Sequence, residues 1–198
     1  MRKAAVVATF IASALTVSAP LAAGTTVRIP LTCTRGPSGQ EHVVGVSAPV
    51  SVAAGATYTV RIDGVPSGKI SHTGLNYIFD MSSDYALPSG TTYVPGSAHI
   101  VPRTGTPNVA GSARVGYEGG MVRIVMPGHV ESGSSYTPPS IEFQLKATAA
   151  AGATLGLAFS QYRVKANAFL VGDVNTTCDP RPKPYVIANT KVTAPDAL

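Results

Sequence analysis

Residues 75–101, LNYIFDMSSDYALPSGTTYVPGSAHIV, decide how this chain is to be read. Leu75, Tyr77, Phe79 and Met81 alternate with Asn76, Ile78 and Asp80, the period of two of a half-buried strand. Ser82, Ser83 and Asp84, then Leu87-Pro88-Ser89-Gly90, read as a turn-rich joint. Two short β-branched pieces follow, 91–94 and 98–101, parted by Pro95-Gly96. Strand, turn, short strand, turn, short strand is the pattern of a β-sandwich rather than of a helical or nucleotide-binding enzyme.

Working outward, the chain starts with Arg2 and Lys3 ahead of an apolar, small-residue run from Ala4 to Val17. Residues 1–23 are therefore expected to be a cleaved signal peptide, since the run is too short for a membrane span. Removing this leader takes Arg2 and Lys3 with it and lowers the formal charge from +5 to +3. The remaining basic residues are scattered and not interleaved with aromatic ones, which argues against nucleic acid or a polybasic membrane patch. Charged residues are only 13% of the chain, and Gly, Ala, Ser, Thr and Val abound, as suits an extracellular β-protein.

The two cysteines, Cys33 and Cys178, bracket nearly all of the exported chain. An oxidising compartment makes a disulfide between them the natural expectation. Between them, 42–47, 57–62, 112–117, 121–126, 141–147, 155–164 and 165–171 read as strands. Glu118-Gly119-Gly120 reads as a hairpin turn and Asp63-Gly64 as another. No sustained helical period appears after the leader. The expected fold is an all-β, antiparallel sandwich of about nine strands over residues 24–178. Residues 179–198, with Pro180, Pro182 and Pro184, are expected to form a Pro-rich tail in which 185–192 is at most an edge strand.

Two stretches carry a resemblance. Pro49-x-x-Val52-x-x-Gly55-x-x-Tyr58-x-Val60 resembles the opening of Ig-like bacterial surface domains. Gly74-Leu75-Asn76-Tyr77, continued by Leu87-Pro88-Ser89-Gly90-Thr91-Thr92-Tyr93-Val94-Pro95-Gly96-Ser97, is similar to the repeat domains of bacterial cell-surface proteins. In layout, with Cys33-Thr34 near one end and Thr177-Cys178-Asp179-Pro180 near the other, the chain resembles small exported β-proteins of actinobacteria. The resemblance implies an Ig-like sandwich with a structural or adhesive role and no catalytic residues.

The residues themselves point the same way. His42, His72, His99 and His129 stand far apart and show no metal-ligand spacing. No Gly-x-Ser-x-Gly or Ser-x-x-Lys motif marks a nucleophile, and Asp80 with Asp84 reads as turn chemistry rather than calcium ligation. No cofactor, metal or catalytic residue is assigned. Tyr58, Tyr77, Phe79, Phe143, Phe159 and Phe169 are expected in the core; Tyr93, Tyr117, Tyr136 and Tyr162 are expected at the surface, where tyrosine serves interfaces. Loops 103–111 and 128–139 are the expected contact surfaces, with Arg103, Asn108, His129 and Tyr136 as binding residues. The implied function is non-catalytic contact, in the secreted or envelope compartment, with a macromolecule of the envelope or of a host surface. A second reading, a carrier of an apolar or lipid ligand between the sheets, follows from the many small residues at inward positions.

Overall fold

The computed structural model describes residues 23–36 and 38–195; the signal peptide expected over 1–23 lies outside them save for its last residue. In chain order the strands are β1 (Thr25–Cys33), β2 (Gln40–Ser47), β3 (Ser51–Ala53), β4 (Thr57–Gly64) and β5 (Leu75–Ala86). There follow β6 (Thr91–Tyr93), β7 (His99–Ile100), the single helical turn α1 (Pro107–Ala110), β8 (Arg114–Glu118) and β9 (Met121–Met126). The chain ends with β10 (Val130–Glu131), β11 (Ile141–Ala147), β12 (Thr154–Ala168), β13 (Gly172–Pro180) and β14 (Tyr185–Thr193).

The strands form an antiparallel sandwich, as the alternation implies. Hydrogen bonding runs along the path β6-β11-β4-β2-β1-β13-β12-β5-β9-β8, and the path folds over at β1. That strand pairs with β2 through Thr25–Leu31 and with β13 through Leu31–Cys33. The layers meet face to face, with the ring of His42 on β2 4.9 Å from that of Phe159 on β12. At the opposite margin Tyr93 on β6 stacks on Tyr117 of β8, centroids 4.3 Å apart.

Alternation is clearest in β4, β9 and β11, where every second residue is buried. The register sets Ile141 against Ile62, Phe143 against Val60 and Leu145 against Tyr58, apolar cross-strand pairs of the kind that hold a sheet together. Burial raises the Tyr58 hydroxyl to about 12. The β8–β9 hairpin turns through Gly119 and Gly120, both at positive φ (58° and 80°), which a two-residue primed turn requires. Cys33 and Cys178 face each other in the β1–β13 ladder and form the expected disulfide.

Among the described residues fourteen strands stand where about nine were expected, partly because β3, β6, β7 and β10 are only two or three residues long. Five further expectations are corrected. Ser82, Ser83 and Asp84 are not a turn but the middle of β5, because the Asp84 carboxylate is satisfied by arginines from both flanking strands. The inward set on β5 is Ile78 and Met81 rather than Tyr77 and Phe79. Asp80, at φ 46°, sits where the β5–β12 register shifts between Arg163 and Lys165, and a bulge of this kind exchanges the two faces. Residues 155–171 are not two strands: β12 runs unbroken to Ala168 and turns through 169–171 into β13. In addition, the described part of residues 179–198 is not a Pro-rich tail outside the sheet. Asp179 and Pro180 end β13, and β14 lies between β12 and β3, the latter pairing being parallel. Asp63 and Gly64 likewise stay inside β4, paired with Gly45 and Val44.

Candidate contact surface

The two loops singled out in the sequence are locked together. Loop 103–111 is pinned by Val109, fully buried beneath the α1 turn. Thr106 N–H donates to the Thr137 carbonyl at 2.8 Å, and Thr137 N–H donates to Thr106 Oγ1 at 2.6 Å. Ser140 N–H donates to Thr104 Oγ1 at 2.9 Å. Asn108 Nδ2 donates to the His129 carbonyl at 2.8 Å. Gly128 lies so close to the Asn108 carbonyl that any Cβ would overlap it, so the approach of the loops depends on glycine at that position.

From this seam an aromatic row crosses the outer face of β5. The His129 ring stacks on Tyr77 (4.2 Å, 15°), and its Nε2 lies 2.7 Å from Glu131 Oε1. Tyr77 meets Phe79 at 5.8 Å, and Lys165 Nζ stands 5.6 Å from the centre of the Phe79 ring while donating to Asp80 at 2.8 Å. The hydrogen bond to Asp80 raises the Lys165 pKa. The row presents half-exposed ring surface bordered by acid, base and amide groups, rings whose apolar bodies carry polar or cationic neighbours.

Of the four predicted binding residues, the structure brings Asn108 and His129 together. Arg103 is exposed at φ 62°, an uncommon conformation for a non-glycine residue, and makes no ion pair among the described residues. Tyr136 is corrected: it is buried, and its hydroxyl lies 3.0 Å from that of Tyr162. Burial raises both hydroxyls. The loop carries Tyr136 inward because Ser67 Oγ accepts from its backbone N–H, a pairing no local pattern announces. Phe169 is exposed rather than core. Sequence reading missed Tyr77, Phe79 and Lys165 as surface residues, and only the β5 bulge would have revealed them.

Beside this row lies a charge ladder. Asp84, buried on β5, accepts from Arg123 of β9 at 2.7 and 3.2 Å and from Arg163 of β12 at 2.8 Å. Its hydrogen bonding raises the Arg123 pKa. Glu118 extends the ladder at 3.4 Å from Arg123. The three strands are thereby stitched across, which is a structural task. Among the described residues no three His, Cys, Asp or Glu side chains gather as metal ligands.

A separate groove of about 500 Å³ opens at the margin where β6 and β7 face β8, between Tyr93, Pro95, Ala98, Val115 and Tyr117. By contrast, the cavity between the sheets beside His42, Ser83 and Tyr85 holds about 10 Å³, room for one water at most.

No protein-family model matches the chain, and no curated protein matches its sequence. Among solved structures it is similar to bacterial surface domains. One is a Corynebacterium diphtheriae protein described as membrane anchored, at 18% identity over 87% of this chain and TM-score 0.40. Domains D2 and D3 of the major pilin SpaD from the same organism match at 12% identity over 68% of this chain, TM-score 0.37. The collagen-binding domain of the Erysipelothrix rhusiopathiae surface protein RspB matches at 11% over 85%, TM-score 0.36. The chain spans 38%, 49% and 56% of those three structures. Likeness at this level carries no argument for function.

Proposed function

We propose that the chain is an exported, non-catalytic Ig-like module that binds a macromolecule of the cell envelope or of a host surface through the Asn108–His129–Tyr77 surface. The observation that supports this is the mutual fastening of loops 103–111 and 128–139 by Thr106, Thr137 and Asn108. Loops already held in one arrangement lose little conformational freedom on association, so their contact energy is retained as affinity. The aromatic row supplies apolar area, and Arg103, Glu131 and Lys165 supply direction. The test is adsorption of the labelled protein to whole cells and envelope extracts, comparing wild type with Arg103→Ala/His129→Ala. Both side chains are exposed, so the variant keeps its thermal midpoint; a tenfold or greater loss of adsorption is expected for contact residues of this kind (~1.4 kcal/mol or more). Undiminished adsorption would refute the assignment.

The groove at Tyr93 and Tyr117 favours a second reading, a small apolar ligand held at the sandwich margin rather than between the sheets. Lipid extraction of the purified protein followed by mass spectrometry tests it: a stoichiometric lipid supports it, and an empty extract removes it.

A further inference from the structure

The β12–β13 hairpin ends in three consecutive exposed apolar side chains, Phe169 at 67%, Leu170 at 91% and Val171 at 69% exposure. Its last pair, Ala168 with Gly172, lies six residues beyond Tyr162, which faces Cys178. The tip thus projects about 20 Å past the disulfide at strand rise. Leu170 holds φ 72°, a conformation that glycine adopts freely and leucine does not. A strained, nearly naked leucine at a hairpin apex gains nothing in the free protein.

We propose that this tip inserts into the interfacial region of a lipid bilayer, anionic headgroups being preferred. The shape fits a bilayer because a convex apex of radiating apolar side chains needs no matching concavity there. The surrounding charge fits as well. Arg35 stands farther back, next to Thr34, whose N–H donates to the Thr177 carbonyl of the same hairpin beside the disulfide. Lys69 stands on the loop whose Gly74 carbonyl accepts from Phe169 N–H at 2.7 Å. Neither cation is ion-paired among the described residues; of the nearby acids, Asp80 is paired with Lys165, while Asp173 accepts from the neutral Asn167 amide at 2.7 Å and keeps its charge, so the two cations outnumber it. Basic groups behind an apolar tip attract anionic lipid. Thr25 and Thr193 lie at the other end of the strands from this tip. The tip adjoins the aromatic row, since Asn167 pairs with Tyr77 and Ala168 with Leu75, but the inference rests on residues 169–171 and stands without the loop surface.

The chain contains no tryptophan, so a single introduced indole reports its own environment. Phe169→Trp is expected to shift its emission to the blue on mixing with phosphatidylcholine–phosphatidylglycerol vesicles, and to be quenched by brominated acyl chains. Val50→Trp, 75% exposed beside Lys191 at the far end, is expected to do neither. Leu170→Asp is expected to reduce vesicle co-sedimentation ~10-fold or more with an unchanged melting midpoint. The proposal is overturned by an absent shift, by equal quenching at both tryptophans, or by adsorption that salt abolishes without any spectral change. It is overturned equally by a blue shift that needs no vesicles and follows protein concentration, which would make the occupant a second copy of the chain.

Discussion

Acidification is expected to destabilise this protein through His42. Its imidazole lies between Phe159 and Tyr162, centroids 4.9 and 5.4 Å away, and Nε2 is shut from solvent with no hydrogen-bond partner. The groups sharing its cavity are Asp63 on β4 and Ser83 and Tyr85 on β5, and Asp63 is already engaged by Arg61 at 2.6 Å. Burial lowers the His42 pKa from 6.5 to about 4. The unfolded chain therefore takes up a proton near pH 6.5 that the folded chain refuses until about pH 4. Stability from this source is complete above the upper value, declines as pH falls through the interval, and is gone below the lower one. At 1.36 kcal/mol per unit the gap amounts to about 3 kcal/mol, a large share of a typical domain's stability. Urea unfolding at intervals between pH 7.5 and pH 4, for wild type and His42→Phe, measures it. The phenylalanine keeps the stacked ring and removes the titrating, unpartnered nitrogen, so the variant is expected to be no less stable at neutral pH. It is also expected to lose up to about 1.4 kcal/mol per pH unit of acid slope. The Asp179 carboxyl, held below its usual 3.8 by Lys183 and Gln161, acts beneath that window in both proteins. Identical slopes would refute the reasoning.

Four further outcomes follow from the same geometry. Replacing both Cys33 and Cys178 by serine opens a closure of 145 residues and is expected to lower unfolding free energy by up to about 5 kcal/mol, read as the shift in urea midpoint. Asp84→Asn breaks the tie to Arg123 and Arg163 and is expected to cost about 2–4 kcal/mol, somewhat under the usual buried-pair figure because both guanidinium groups reach water. Gly128→Ala is expected to push loop 103–111 off its partner, raising amide exchange at 104–110 and weakening envelope adsorption. Tyr136→Phe is expected to cost about 1 kcal/mol through the lost contact with Tyr162 and to leave adsorption unchanged, as suits a buried residue.

What the sequence discloses follows from what is local. The alternation of β4, β9 and β11, the Gly119-Gly120 hairpin and the Cys33–Cys178 pairing are each carried by neighbours in the chain or by two residues alone. Segments 103–111 and 128–139 were legible as loops from their Gly and Pro content, whereas their fastening through Thr106, Thr137 and Asn108 was not. The rest depends on residues distant in sequence. Asp84 reads as a turn residue until Arg123 and Arg163 are seen on either side of it. Tyr77 and Phe79 share the apparent phase of Met81 until a bulge at Asp80 separates their faces. Tyr136 looks like a loop-end interface residue until its hydroxyl is seen beside that of Tyr162. Residues 179–198 look excluded from the sheet by Pro180, Pro182 and Pro184, yet Tyr185–Thr193 follows these three and is free to pair.

Resonance mapping of the uniformly ¹⁵N-labelled protein during titration with solubilised envelope extract bears most directly on the loop surface. Amide shifts concentrated at 103–111, 128–139 and Tyr77–Phe79, saturating together, are the predicted result. Saturable shifts confined to the Tyr93–Tyr117 groove, or saturable shifts that leave Asn108 and His129 unmoved, would contradict it.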